Sequence, residues 1–272
     1  MKIKSISSES NAIIKHIKSL RFRKQRTKNR QFVIEGVRIV EECSKHGGDI
    51  EYIVYSEGLH NVQGGTNLLN KLFKRGYAIY EIPAPLFNKI AATESPQGIM
   101  AVVNMKNITL EDLELKGDRG LFFVILDRVQ DPGNMGTVIR TSEGANIDAV
   151  IITGGSVDPY NDKVLRATMG AIFYLPIIQC KDDTWMEYLR EKNVKLIASD
   201  LDADKTYVDI DYSGNIGIII GNEANGIDEK ILCKVDEKVI IPILGNIESL
   251  NAAIAAGILI YKAVEKRNLG KI

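Results

Sequence analysis

The sequence predicts an α/β protein: a parallel sheet covered by helices, preceded by a smaller α/β unit. The runs LFFVIL (121–126), AVIITG (149–154), YLPIIQ (174–179), VKLIAS (194–199), IGIIIG (216–221) and KVIIPI (238–243) are apolar at nearly every position. Strands buried on both faces read this way, whereas half-exposed strands alternate. Helical patterns separate the runs, as parallel crossovers require. The polar, turn-rich stretch NMKNITLEDLELKGDRG (104–120) divides the chain, so the expected domains are 1–105 and 120–272 with a linker at 106–119.

In the first domain, SESNAIIKHIKSLRFRKQRTKNR is expected to be one helix, capped by Ser8 or Ser10, with Ile13, Ile14, Ile17 and Leu20 on its apolar face. A short strand, FVIEG (32–36), follows, then a helical VRIVEECSKHG, a strand at EYIVYS, a helical NLLNKLFKRG and a strand at AIYEIP. A last strand, GIMAVV (98–103), completes the unit.

The bulk properties narrow the class. A chain of 272 residues with 45% hydrophobic and 26% charged side chains suits one large or two modest globular domains. No apolar run approaches the roughly 18 residues of a membrane span, and MKIKSISSESN lacks the apolar stretch of a signal peptide. A cytoplasmic protein without membrane partners is expected. Cys43, Cys180 and Cys233 are far apart and show no CxxC spacing, so neither a disulfide framework nor a metal site is expected, and buried apolar roles are. The net charge of zero conceals an asymmetry. Lys15, Lys18, Arg21, Arg23, Lys24, Arg26, Lys28 and Arg30 fall between Asn11 and Ile34 with no acidic residue among them. Such a block is either a solvated helix face or a phosphate-contacting surface, where each cation that neutralises a phosphate releases counterions.

In an open α/β sheet, ligands bind outside the carboxyl ends of the strands. Three loops there carry glycine together with polar side chains. LDRVQDPGNMGTVIRTSEGAN (126–146) has a turn at Asp131–Asn134 and then a helix from Thr137 carrying Arg140; GNEANGI (221–227) holds Glu223; IPILGNIESLNAAIAAG (241–257) leads through Ser249 and Asn251 into a helix of small residues. Asn134 and Ser249 can equally be helix caps, Glu223 a solvated carboxylate, Arg140 a surface cation and the alanine-rich helix a packing face. The only histidines, His16, His46 and His60, lie in the first domain, and GxGxxG, GxxxxGK[ST] and HExxH are absent. What remains is a site of Asn, Arg, Glu, Ser and backbone amides, which suits a reaction with an already activated leaving group.

DPGNMGTVIR, GNEANGI and IPILGNIESLNAAIAA resemble, in order and spacing, the three motifs of the SpoU-type (TrmH) RNA ribose 2′-O-methyltransferases of the knotted SPOUT superfamily. FVIEG and ATESPQGIMAVV resemble that family's small substrate-binding domain, which has a fold like certain ribosomal proteins, and NAIIKHIKSLRFRKQR resembles the lead-in of its ribosomal RNA members. The resemblance implies S-adenosylmethionine against Gly221, Ile241 and Leu250. It implies a trefoil knot threaded by 241–257, with small side chains at Ala252, Ala253, Ala255, Ala256 and Gly257 allowing close passage or a dimer contact. The catalytic arginine falls on Arg140, with Asn134, Glu223, Ser249 and Asn251 as partners and Glu223 as a rival base. RNA contact is expected through Lys15, Lys18, Arg21, Arg23, Lys24 and Arg26. The departures are Ala224 where glycine is common and Ala252, Ala253 and Ile254 where Val-Ser-Val is frequent.

The expected protein is therefore a homodimeric, S-adenosylmethionine-dependent methyltransferase acting on a ribose 2′-hydroxyl of 23S ribosomal RNA. The rivals are the same chemistry on transfer RNA, a non-catalytic RNA-binding assembly factor, and a nucleotide-dependent enzyme unrelated to RNA.

Overall fold

The computed structural model describes residues 3–113 and 120–268, so residues 114–119 of the expected linker lie outside the described residues. The chain divides into two compact units. The first runs up to Asn107 and includes Tyr160–Phe173; the second comprises Ile108–Pro159 and the chain from Tyr174 onward. The inclusion of 160–173 in the first unit differs from a boundary drawn along the sequence. Its physical reason is packing: the ring of Tyr160 lies 4.7 Å from that of Phe32.

In the first unit, β1 (Lys4–Ser5), β2 (Gln31–Glu35), β3 (Ile50–Tyr55), β4 (Ile79–Glu81) and β5 (Ile99–Asn104) form a mixed sheet in the order β1-β4-β3-β5-β2. β4 is parallel to β1 and β3, and β5 is antiparallel to β3 and β2. The helices are α1 (Ala12–Ser19), α2 (Arg23–Asn29), α3 (Val37–Lys45), α4 (Gly65–Lys74) and α5 (Ala84–Ile90). Ile14, Ile17 and Leu20 pack with Tyr52, Phe87, Ile90 and Val102 in one core. Each such side chain contributes about 1.5–3 kcal/mol on burial.

The single N-terminal helix expected from the sequence is two. Its cap is Asn11, whose Oδ1 accepts from the Ile13 amide at 2.9 Å, rather than Ser8 or Ser10, whose hydroxyls bond each other. The break at Leu20–Phe22 is held by Arg26, which donates through Nη1 to the carbonyls of Leu20 (2.9 Å) and Arg21 (2.7 Å). Arg26 is 5% exposed, which corrects its assignment to an RNA-facing surface. A buried guanidinium is tolerable because carbonyls engage it, and its charge complements the negative end of α1.

In the second unit the expected runs form β6 (Phe122–Leu126), β7 (Ala149–Ile152), β8 (Ile177–Gln179), β9 (Lys195–Ser199), β11 (Ile216–Ile220) and β12 (Glu237–Ile240), joined by the short β10 (Lys205–Thr206). All are parallel, in the order β10-β12-β9-β11-β6-β7-β8. α6 (Pro132–Gly144), α8 (Thr184–Glu191), α9 (Glu229–Leu232) and α10 (Ala252–Asn268) belong to this unit, whereas α7 (Asp162–Thr168) falls in the first. Every residue of β6 and β11 is buried, as the unbroken apolar runs require. α6 packs on α10.

Of the cysteines, Cys43 is buried and its thiol is pushed up to about 12 by that burial, but Cys180 is only partly buried and Cys233 is exposed. The expectation of three buried cysteines thus fails at Cys233, which follows the short α9 on the surface. Among the described residues no helix is long and apolar enough to cross a membrane, and no cluster of His, Cys, Asp and Glu could hold a metal.

Candidate active site

The carboxyl ends of β6, β9, β11 and β12 lie close together because these strands are neighbours in the sheet. At their tips Ser199, Asp200, Leu201, Gly221, Glu223, Ile241, Glu248, Ser249, Leu250 and Asn251 line a cavity of about 480 Å³, within the ~300–1,000 Å³ range of small-molecule sites. Every residue expected to hold the cofactor (Gly221, Ile241, Leu250) borders it, as do Glu223, Ser249 and Asn251. Asn134 and Arg140 do not.

Asn134 instead joins the wall from behind. It sits in the first turn of α6, whose cap is Asp131: Oδ1 of Asp131 accepts from the Asn134 amide at 2.8 Å. The helix therefore starts at Pro132, earlier than the expected Thr137, and Asn134 is not its cap. The residue is 8% exposed and both polar atoms of its side chain are engaged: Nδ2 donates to Glu223 Oε1 at 2.9 Å, and Oδ1 accepts from Asn251 Nδ2 at 2.8 Å. Asn251 in turn caps α10 through Oδ1, which accepts from the Ala253 amide at 2.9 Å. One chain of hydrogen bonds thus links all three motif loops.

Glu223 also accepts from the amides of Gln130 and Asp131, each at 3.1 Å. Burial raises its carboxyl, but the bonds from Asn134, the two loop amides and its own amide outweigh that and hold it below the ordinary carboxylate range. A low-pKa carboxylate with both oxygens occupied is a weak proton acceptor and a strong positioning group.

The loop bearing Glu223 is folded by Asn222, which the sequence reading passed over. Its Oδ1 accepts from the amides of Ala224 (3.0 Å) and Asn225 (2.9 Å), and Nδ2 donates to the Arg128 carbonyl at 2.9 Å. Gly221 is required for steric reasons, since a Cβ there would stand 2.3 Å from the carbonyl carbon of Gly226. Asp127, only 2% exposed, ties the ends of β6, β7 and the loop after Gly226 by accepting from Thr153 Oγ1 and the Asp228 amide, both at 2.9 Å. A carboxylate directly after a buried strand is a sequence signal that could have drawn attention. The lining residues Ser199, Asp200 and Leu201 were also missed, because the loop after β9 has no glycine.

Arg140 is exposed on α6, and among the described residues no hydrogen bond or ion pair engages its side chain. Of the expected RNA-binding cations, Lys15, Arg21, Arg23 and Lys24 are exposed on the first unit, while Lys18 pairs with Glu9 at 3.2 Å.

The cavity fits the chemistry of S-adenosylmethionine. Leu201, Ile220, Ile241, Ile243 and Leu250 offer apolar surface to a base, and Asp200, Glu223 and Glu248 supply negative charge toward cationic or hydroxyl groups.

Comparison with known proteins agrees with this geometry. The family model described as SpoU rRNA Methylase matches residues 121–261, and the MRM3-like substrate binding domain matches 11–101. The chain is 34% identical to the 23S rRNA (guanosine(2553)-2′-O)-methyltransferase RlmP of Bacillus subtilis, over 95% of this chain and 98% of the relative. An AdoMet-bound rRNA methyltransferase from Sinorhizobium meliloti has a TM-score of 0.86 at 30% identity, covering 98% of both chains. The SpoU methyltransferase AviRb from Streptomyces viridochromogenes, in complex with AdoMet, has a TM-score of 0.85 at 26% identity, covering 96% of this chain and 100% of that one.

Proposed function

The chain belongs to the SpoU rRNA methylase family, and from that premise we propose that it transfers a methyl group from S-adenosylmethionine to a ribose 2′-hydroxyl of 23S ribosomal RNA. The observation that supports this most is the cavity at the strand ends, bordered by Gly221, Ile241 and Leu250 with Glu223, Ser249 and Asn251 on its wall.

When bound, S-adenosylmethionine supplies a methyl group already activated on a sulfonium. The chain then has to hold a hydroxyl in line and exclude water, and positioning can supply much of the acceleration. A guanidinium is a poor proton acceptor, so the role of Arg140 in this proposal is to bind an RNA phosphate and orient the neighbouring ribose. Glu223 acts as a positioning residue: it fixes Asn134 and the 130–131 backbone, and its depressed pKa argues against service as the base. Ser249 and Asn251 line the cavity; Asn251, whose side-chain amide is bonded to Asn134 and to the start of α10, holds the wall in place, while the Ser249 hydroxyl faces the reacting ribose.

The working unit in this proposal is a homodimer, with 241–257 as the threaded segment of a knot. Ala253 and Ala256 are buried, which supports close passage of backbone. A Cβ at Gly257 would meet nothing within 4 Å, so within one chain nothing requires glycine there. That fact, with the exposed Leu244, Ile247, Ile254 and Tyr261, supports a second chain packing on this face.

Ribose methylation mapped across all RNA from cells with and without the protein tests the assignment. Loss of one methyl group in 23S ribosomal RNA is expected. Loss in transfer RNA alone would favour that substrate, and failure to bind S-adenosylmethionine in calorimetry would favour an assembly factor.

A further inference from the structure

Phe22 stands at the corner between α1 and α2 and is 69% exposed, more than any other aromatic residue among the described residues. The corner is built to hold it there. Phe22 is extended, with φ −92° and ψ 128°. Leu20 is anchored in the core, Arg26 clamps the carbonyls of Leu20 and Arg21 from below, and Arg21 donates through Nη2 to the Ala91 carbonyl. The residues before the corner are thus fixed, and the ring is directed into solvent within a field of exposed Lys15, Arg21, Arg23, Lys24 and Lys28. No acidic residue lies between Asn11 and Ile34.

A ring fixed in solvent at a rigid corner is available to a partner, and the charge around it selects one. A protein surface would supply apolar contact, but the exposed cations here outnumber the nearby carboxylates, Glu9, which pairs with Lys18 and Lys89, and Glu35, which bonds the Ala92 amide, and this net positive surround complements a phosphate chain. Aromatic rings in such a setting stack on bases that have left their helix, because every base offers a π face. We infer that Phe22 is a stacking platform for one unpaired nucleobase of the RNA, with the neighbouring cations holding the adjoining phosphates. This rests on the proposal that the chain acts on RNA, and it adds a requirement which that proposal lacks: an unpaired base at the contact.

The test uses the full-length protein and two probes at one ionic strength, a fluorescein-labelled oligouridine of about 12 nucleotides and a blunt RNA duplex of equal length. Phe22→Ala is expected to bind the single strand roughly 5- to 150-fold more weakly. Its affinity for the duplex and its melting temperature should match the parent, since the ring is outside the core, and Phe22→Trp should restore single-strand binding. Equal losses on both probes, or no loss on either, would overturn the stacking role. So would a change of oligomeric state with unchanged RNA binding, which would hand the ring to a protein interface. Parent protein that bound neither probe would overturn the RNA reading itself and this inference with it.

Discussion

Replacing Gly221 by alanine should damage the cofactor cavity without touching any polar group. The added Cβ would lie 2.3 Å from the carbonyl carbon of Gly226, 2.4 Å from the Ile227 nitrogen and 2.7 Å from the Gly226 oxygen. All three are backbone atoms, so no side chain can rotate away. Restoring an ordinary separation of about 3.5 Å requires the 226–227 backbone to retreat by roughly 1 Å. That movement pulls on the reciprocal bonds between Asn222 and Gly226, each 3.0 Å, which contribute about 0.5–1.5 kcal/mol apiece. A destabilisation of about 1–3 kcal/mol follows, or a fall in Tm of about 2–10 °C. Since Glu223 and the cavity wall ride on the same loop, a 1 Å displacement should also reduce methyl transfer about 100-fold. Thermal melting with and without S-adenosylmethionine reads the first effect, and calorimetric titration with a methyl-incorporation assay reads the second. A variant with the parent's Tm and an affinity within about twofold of it would refute the argument from backbone contact.

Arg140→Ala should abolish methyl transfer while S-adenosylmethionine binding survives, because Arg140 is exposed and does not border the cavity; comparable turnover in a methyl-incorporation assay would remove it from the mechanism. Glu223 has its carboxyl held low by hydrogen bonds, so its contribution to stability is complete above the ordinary carboxylate pKa of about 4.3 and is lost as the pH falls through the depressed value. Glu223→Gln should therefore melt below the parent at neutral pH, with the gap closing in acid; an activity inflection near neutrality that vanishes in this variant would instead restore Glu223 as the base. Lys24→Ala should reduce the slope of log affinity against log salt by about one. Arg26→Ala should lower Tm through the unclamped α1–α2 corner, and an Arg26 variant with parental Tm would contradict its structural assignment. Gly257→Leu, whose Cβ would meet nothing within 4 Å in the chain, should sediment as a monomer, and a persisting dimer would exclude this face of α10 as the interface.

Much of this protein is written locally. Strands buried on both faces must be apolar at nearly every position, so IGIIIG and LFFVIL by themselves specify a parallel sheet, and the strand-end loops follow from it. The glycines and polar residues of GNEANGI and IPILGNIESLNAAIAAG marked three of the loops that form the site, and the family resemblance pointed to Gly221, Ile241 and Leu250. What the sequence could not settle was which side chain each polar group meets. Asn134 finds Glu223 and Asn251 at separations of 89 and 117 residues. Those meetings depend on the strand order β12-β9-β11-β6, and no short window of sequence encodes that order. The same holds for Asp200 and Leu201, which join the site because β9 lies between β12 and β11. It holds again for Arg26, a cation like its neighbours in the sequence, which burial and two carbonyls convert from a surface charge into a clamp. Periodicity and composition report the face a residue turns, while partners hundreds of atoms apart along the chain are chosen only when the sheet closes.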